Sequence, residues 1–235
     1  MDLSNPIDLV ASFALAFGLG LVHAFDADHV MALSVFATRG RSAAEGARAG
    51  LRWSIGHGFV ILAAGLLLVA VGRALPESLS LLADRAVGVV MIGLGVFVWI
   101  ELARRRAHLH FHAHDGLPPH AHWHDHAVQA RAAAHARTEH RHEHGAMFVG
   151  ALHGLAGSAP ILAVLPVARH SPTLALAYLV LFGVGVAVAM VGVSGLLGHV
   201  AGKLSAEGAG RGLSWLRAVG AGGSVVVGVW LLSAV

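Results

Sequence analysis

The chain has 235 residues, 56% hydrophobic and 12% charged, with a formal net charge of +3. Soluble domains carry about 25% charged residues, so this density is too low to coat a water-facing surface, and the chain reads as an all-α polytopic membrane protein. Cysteine is absent, which excludes disulfides, a thiol redox relay and thiolate metal sites. The cations lie in short connections between apolar segments, which argues against a nucleic-acid partner.

Residues 1–8 hold Asp2 and Asp8 and no Lys or Arg. That is the wrong start for a cleavable signal, so the first apolar segment is expected to be retained. Six apolar stretches meet the need for about 20 residues per span: 9–37, 50–72, 80–102, 146–168, 173–199 and 213–235.

The first stretch is too long for one simple span and is interrupted by His23-Ala24-Phe25-Asp26-Ala27-Asp28-His29. A charge at the bilayer centre costs at least a few kcal/mol. Two carboxylates this close repel, and a cation held between them removes the penalty; so does a proton. On an ideal helix His23 and Asp28 point about 140° apart, and His23 and His29 about 120° apart the other way. An unbroken helix cannot aim all three at one ion, so a break over 24–28 is predicted. Asp26 is either a ligand or a partner that fixes an imidazole tautomer.

In the second stretch, His57 lies between Gly56 and Gly58, which would let it approach the first segment. The third stretch is followed by Arg104, Arg105 and Arg106. Between 103 and 145 lie twelve of the 18 histidines. His108, His110, His112 and His114 alternate in one cluster, and His120, His122, His124 and His126 in a second, with Pro118 and Pro119 between them. Alternating histidines in an extended chain line one side, where pairs chelate a borderline metal. The loop is expected to lack fixed structure without metal and to act as a metal buffer, sensor or hand-off site.

In the fourth stretch, Leu152-His153-Gly154 resembles Val22-His23-Ala24, and Gly157-Ser158 follows where Asp26 to His29 follow in the first. His153 and Ser158 are candidates for a second site or for supporting contacts. Gly183, Gly185, Gly192, Gly195 and Gly198 in the fifth stretch read as a close-packing face. His170 and His199 fall near segment ends. Trp53, Trp99 and Trp215 read as interfacial belt residues.

With the N-terminus outside, inside connections hold 13 Lys and Arg and outside ones hold 3 (Arg73, Arg85, Arg169). The positive-inside rule then puts both termini outside and the histidine-rich loop in the cytoplasm. The organisation expected is a three-helix half at 1–102, a loop at 103–145 and a second three-helix half at 146–235. An odd number of helices per half inverts the second half, a common plan of secondary transporters. A shell of imidazole and carboxylate suits Ni²⁺, Co²⁺ and Zn²⁺, and argues against Cu(I), Mg²⁺ and Ca²⁺.

The run His23-Ala-Phe-Asp-Ala-Asp28-His29-Val resembles the first motif of the nickel/cobalt transporter family, most closely its UreH-type nickel permease branch, with the RcnA-type efflux proteins as relatives. Gly56-His57 resembles the Gly-His of that family's next helix. The resemblance covers the first half well and the second only by hydropathy and the 151–160 stretch. Larger members have an extra helix before the motif helix, and their later acidic motifs have no counterpart here. The resemblance implies Ni²⁺ or Co²⁺ as transported substrate, with no cofactor, the bilayer as surroundings, and the cytoplasmic (inner) membrane as location. It carries ligand roles to His23, Asp28 and His29 and contributing roles to Asp26 and His57.

Three readings of function follow. The form of the motif favours uptake. Efflux uses the same chemistry, and the loop fits either direction. An exporter of another substrate in the same inverted-repeat superfamily would leave the motif and the loop unexplained. A membrane metalloprotease would need a run such as His-Glu-x-x-His, which does not occur, so no enzyme is expected. No oligomeric state is specified.

Overall fold

The computed structural model describes residues 6–71, 77–104, 108–112, 120–124, 145–156, 171–206 and 210–233. They form α1 (Pro6–His23), α2 (Ala27–Ala37), α3 (Ala43–Val71), α4 (Glu77–Arg104), β1 (His108–His112), β2 (His120–His124), α5 (Gly145–Ala156), α6 (Pro172–Ala206) and α7 (Gly210–Ser233).

Among the described residues four helices, α3, α4, α6 and α7, are long and apolar enough to cross a membrane, and α1 and α2 form an apolar pair bent by 63° at the break between them, in place of the single first span expected. Helix α5 is a shorter apolar helix, and 157–168 of the expected fourth span lies outside the described residues. Large apolar side chains face outward along the helices, among them Ile7, Phe59, Val89, Val188 and Val226. This surface suits hydrocarbon and not water, so the chain is an integral membrane protein.

Local chemistry sets the helix starts. Ser171 precedes Pro172, and its Oγ accepts the Leu174 N–H at 3.3 Å; Pro at the first helical position costs nothing because its missing N–H has no helical partner there. Ser42 Oγ accepts the Glu45 N–H at 3.2 Å, and Glu45 Oε2 accepts the Arg41 N–H at 2.7 Å. That reciprocal cap starts α3 seven residues before the apolar stretch expected from 50. The polar first turns extend the helix beyond the hydrophobic span.

The helices pack through glycines. Along α3 and α6, Gly46 meets Ser194 and Gly198, Gly50 meets Met190, and Gly65 meets Leu179. The numbers run in opposite senses, so these helices are antiparallel. Helices α4 and α7 are also antiparallel: Gly88 lies on Gly228, Gly95 on Ala221, and Trp99 Nε1 donates to the Ala218 carbonyl at 3.3 Å. Ser224 Oγ donates to the Met91 carbonyl at 2.8 Å across the same pair. At one end, Arg217 holds Glu101 at 2.7 Å, and Arg39 lies 3.7 Å from the same carboxylate.

Two further contacts are reciprocal. Gly20 of α1 lies on the Phe182 backbone of α6, and Gly185 of α6 on the Phe17 backbone of α1. Likewise, Gly150 of α5 lies on the Trp53 backbone of α3, and Gly56 of α3 on the Met147 backbone of α5. A shift of 130 residues carries the α1 members onto the α5 members, and a shift of 129 carries the α3 members onto those of α6. Under the first shift His23 corresponds to His153; under the second His57 corresponds to Val186.

Several expectations need correction. Trp53 is not at an interface but fully buried, because α5 covers it. Trp99 and Trp215 are exposed. Gly56 approaches α5, not the first segment, and nothing lies within 4 Å of a Cβ at Gly58. Of the five fifth-stretch glycines, Gly185 and Gly198 are close contacts, whereas Gly183 and Gly192 face open space and Gly195 makes only ordinary contact. The loop is not wholly without secondary structure. Its backbone pairs as an antiparallel hairpin, with His108 opposite His124, His110 opposite His122 and His112 opposite His120. Strand alternation places these six positions on one face of the ribbon. His114, His126, Ser158 and His170 lie outside the described residues.

Candidate metal centre

The helix breaks between α1 and α2 at 24–26, a shorter break than the 24–28 expected, because Ala27 and Asp28 already belong to the first turn of α2. Phe25 N–H donates to the Val22 carbonyl at 2.9 Å and Asp26 N–H to the His23 carbonyl at 3.1 Å. These tight turns end α1 at His23. Asp26 stands at the N-cap of α2, yet its side chain makes no capping bond. It reaches back instead, with Oδ2 2.8 Å from His23 Nδ1. The 63° bend swings His29 toward His23. On a straight helix the two would face apart; here their rings lie edge to face with centroids 4.6 Å apart.

His57 enters from α3. Its ring stacks on Trp53 at 4.6 Å, and lies 5.6 Å from His23 and 5.1 Å from His29. His153 enters from α5, 5.3 Å from the ring of His29. Rings that share an ion at about 2.0–2.1 Å per nitrogen have centroids roughly 4.5–5.5 Å apart, so these spacings are close to those of a common ion. His23, His29 and His57 each offer a nitrogen within 4.8 Å of the others, as do His29, Asp26 and Asp28 with their ligand atoms.

Tautomers can be read from the anchors. His23 Nδ1 faces Asp26, and His29 Nδ1 faces Asp28 Oδ1 at 2.9 Å. His153 Nδ1 lies 2.8 Å from the Val149 carbonyl. Carboxylate and carbonyl oxygens accept, so in each neutral ring Nδ1 carries the proton and Nε2 presents a lone pair. All three Nε2 atoms are buried without a hydrogen-bond partner, and so are both ring nitrogens of His57. Buried polar groups are normally satisfied. A cluster of orphaned imidazole nitrogens, their rings oriented by oxygen acceptors, is the arrangement that metal-binding histidines adopt.

The structure thus brings together His23, Asp26, Asp28, His29, His57 and His153. Trp53 is the neighbour that sequence reasoning missed as part of the site. It walls the cluster against His29, His57 and His153. A Trp four residues before His57 was the available signal, since helical spacing puts both on one face.

Residues 15–230 match the family model described as the cytochrome c biogenesis protein transmembrane region. The chain belongs to this family. This member of the cytochrome c biogenesis transmembrane-region family has no cysteine in its 235 residues, so it carries no thiol to relay electrons. It is also 26% identical over 194 residues to the urease accessory protein UreH of Bacillus sp. (strain TB-90), covering 83% of this chain and 79% of that protein. No solved structure matches.

Proposed function

We propose that this protein is a permease that carries Ni²⁺, and Co²⁺ with it, into the cytoplasm through the His23/His29/His57 cluster. The observation that supports it best is the convergence of orphaned, buried imidazole nitrogens at the break in the bent, apolar helix pair α1–α2. The cluster offers nitrogen and carboxylate donors and no sulfur, as borderline divalent cations favour. The resemblance of the 23–30 run to UreH-type nickel permeases, and the match to a protein named UreH, favour nickel within that class.

In this reading the ion binds the Nε2 atoms of His23 and His29 and a ring nitrogen of His57. Asp26 and Asp28 orient the first two rings, and Asp28 Oδ2 remains available to the ion. The negative carboxylates offset the ion's charge, so a dication need not enter the bilayer unbalanced. Both termini lie outside the inner membrane and the histidine-rich hairpin lies in the cytoplasm, collecting ions as they leave the site. The reading includes two inverted halves, 1–102 and 146–235. The antiparallel counterparts α3/α6 and α4/α7 support it, as do the reciprocal glycine contacts. Such inverted repeats place the substrate site where their breaks meet.

Influx into liposomes containing the purified protein and an internal nickel-sensitive dye tests the proposal. Wild type is expected to admit Ni²⁺ and Co²⁺ faster than empty liposomes, and His23→Ala to fall to the empty-liposome rate. Equal influx by both proteins would refute it.

A further inference from the structure

We infer that His153 is a direct ligand of the transported ion, so that one ion is held by both halves of the molecule. This rests on the transport site proposed above and adds to it a donor from α5. His153 is fully buried, and its Nδ1–H is committed to the Val149 carbonyl at 2.8 Å. Its Nε2 therefore has no proton to donate. That atom faces Asp28 Oδ2 at 3.9 Å, too far for a hydrogen bond. Two acceptors facing each other, one fully buried and the other 22% exposed, repel unless a cation lies between them. Donors sharing an ion at about 2.0–2.2 Å each are separated by roughly 3–4 Å, which accommodates this gap.

The position is fixed by backbone packing. Gly154 lies on the His57 backbone and Gly150 on that of Trp53, so α5 cannot withdraw from α3 without opening these contacts. His153 lies 5.7 Å from Trp53, as its counterpart His23 lies 5.4 Å from Phe182. The shift that relates the reciprocal contacts thus pairs the two histidines, each against an aromatic ring of the other half's α3 or α6. His57 has no such twin, because Val186 stands in its place. The result is one asymmetric site between the halves. An ion there joins α1–α2 and α3 to α5.

The absence of cysteine makes a clean test possible. His153→Cys is prepared as full-length protein in lipid nanodiscs and titrated with Co²⁺. A thiolate-to-cobalt charge-transfer band in the near ultraviolet is expected, and adding His23→Ala is expected to abolish it. No band, or a band that survives His23→Ala, overturns the inference. If His153→Cys does not yield monodisperse protein, His153→Gln replaces it in a background whose loop histidines are asparagine. Loss of a ligand is expected to weaken cobalt binding by about tenfold or more, and unchanged affinity overturns the inference. His23→Ala in the background whose loop histidines are asparagine separates the two failures. If it leaves binding and influx intact, the transport site itself is wrong; if it abolishes both while position 153 has no effect, only the role of His153 is wrong.

Discussion

His57 is fully buried, with neither ring nitrogen satisfied. Leaving a buried polar group unpaired costs about 1–3 kcal/mol, so in the ion-free protein this side chain opposes folding. In the proposed site its use lies in binding the ion. His57→Leu is therefore expected to raise the melting temperature of metal-free protein in detergent while lowering nickel influx at least about tenfold, the trade between stability and activity common at functional sites. A variant that melts lower and transports normally would contradict this role. At this scale the convergence of His23, Asp26, Asp28 and His29 was legible in the sequence. Two carboxylates and two histidines in an apolar run have few other uses, and their angular spacing required the break. The division of labour was not legible. That Asp26 serves His23 and Asp28 serves His29 depends on a 63° bend, whose size no spacing rule supplies.

The elements are positioned by backbone-to-backbone approach at a few glycines. A Cβ at Gly150 would overlap the Trp53 carbonyl, and one at Gly20 the Phe182 carbonyl, whereas Gly183 faces open space. Gly150→Val is expected to abolish monodisperse protein on size-exclusion chromatography, while Gly183→Ala elutes like wild type; the reverse ranking would contradict the packing described. Sequence alone could not sort these glycines. Gly183, Gly185, Gly192, Gly195 and Gly198 share a composition, and only the partner helix decides which ones touch. Trp53 shows the same limit. Near a segment end it reads as an interfacial anchor, and only the arrival of α5 from the far half of the chain buries it. His153 was recognisable as a twin of His23 by its neighbours, but its approach to Asp28 rests on that same long-range contact.

Over the whole molecule, four of the six expected spans, now α3, α4, α6 and α7, were readable because the bilayer imposes a length and hydropathy rule on each segment; the first is a bent pair instead, and 157–168 of the fourth lies outside the described residues. The hairpin was not foreseen, since alternating histidines satisfy an extended chain whether or not a second strand pairs with it. Its removal separates the core from the loop. Deleting 108–144 is expected to leave His23-dependent influx in liposomes, because no residue of the intramembrane cluster comes from that segment; complete loss of influx would place the loop in the transport path. The central claim is that the cluster moves nickel inward. Total nickel in cells expressing the wild type or His23→Ala, grown in trace nickel and measured by mass spectrometry, tests it most directly. Wild type is expected to raise cell nickel above vector control and His23→Ala to match the control; nickel lowered by the wild type, or raised equally by both proteins, would contradict the claim.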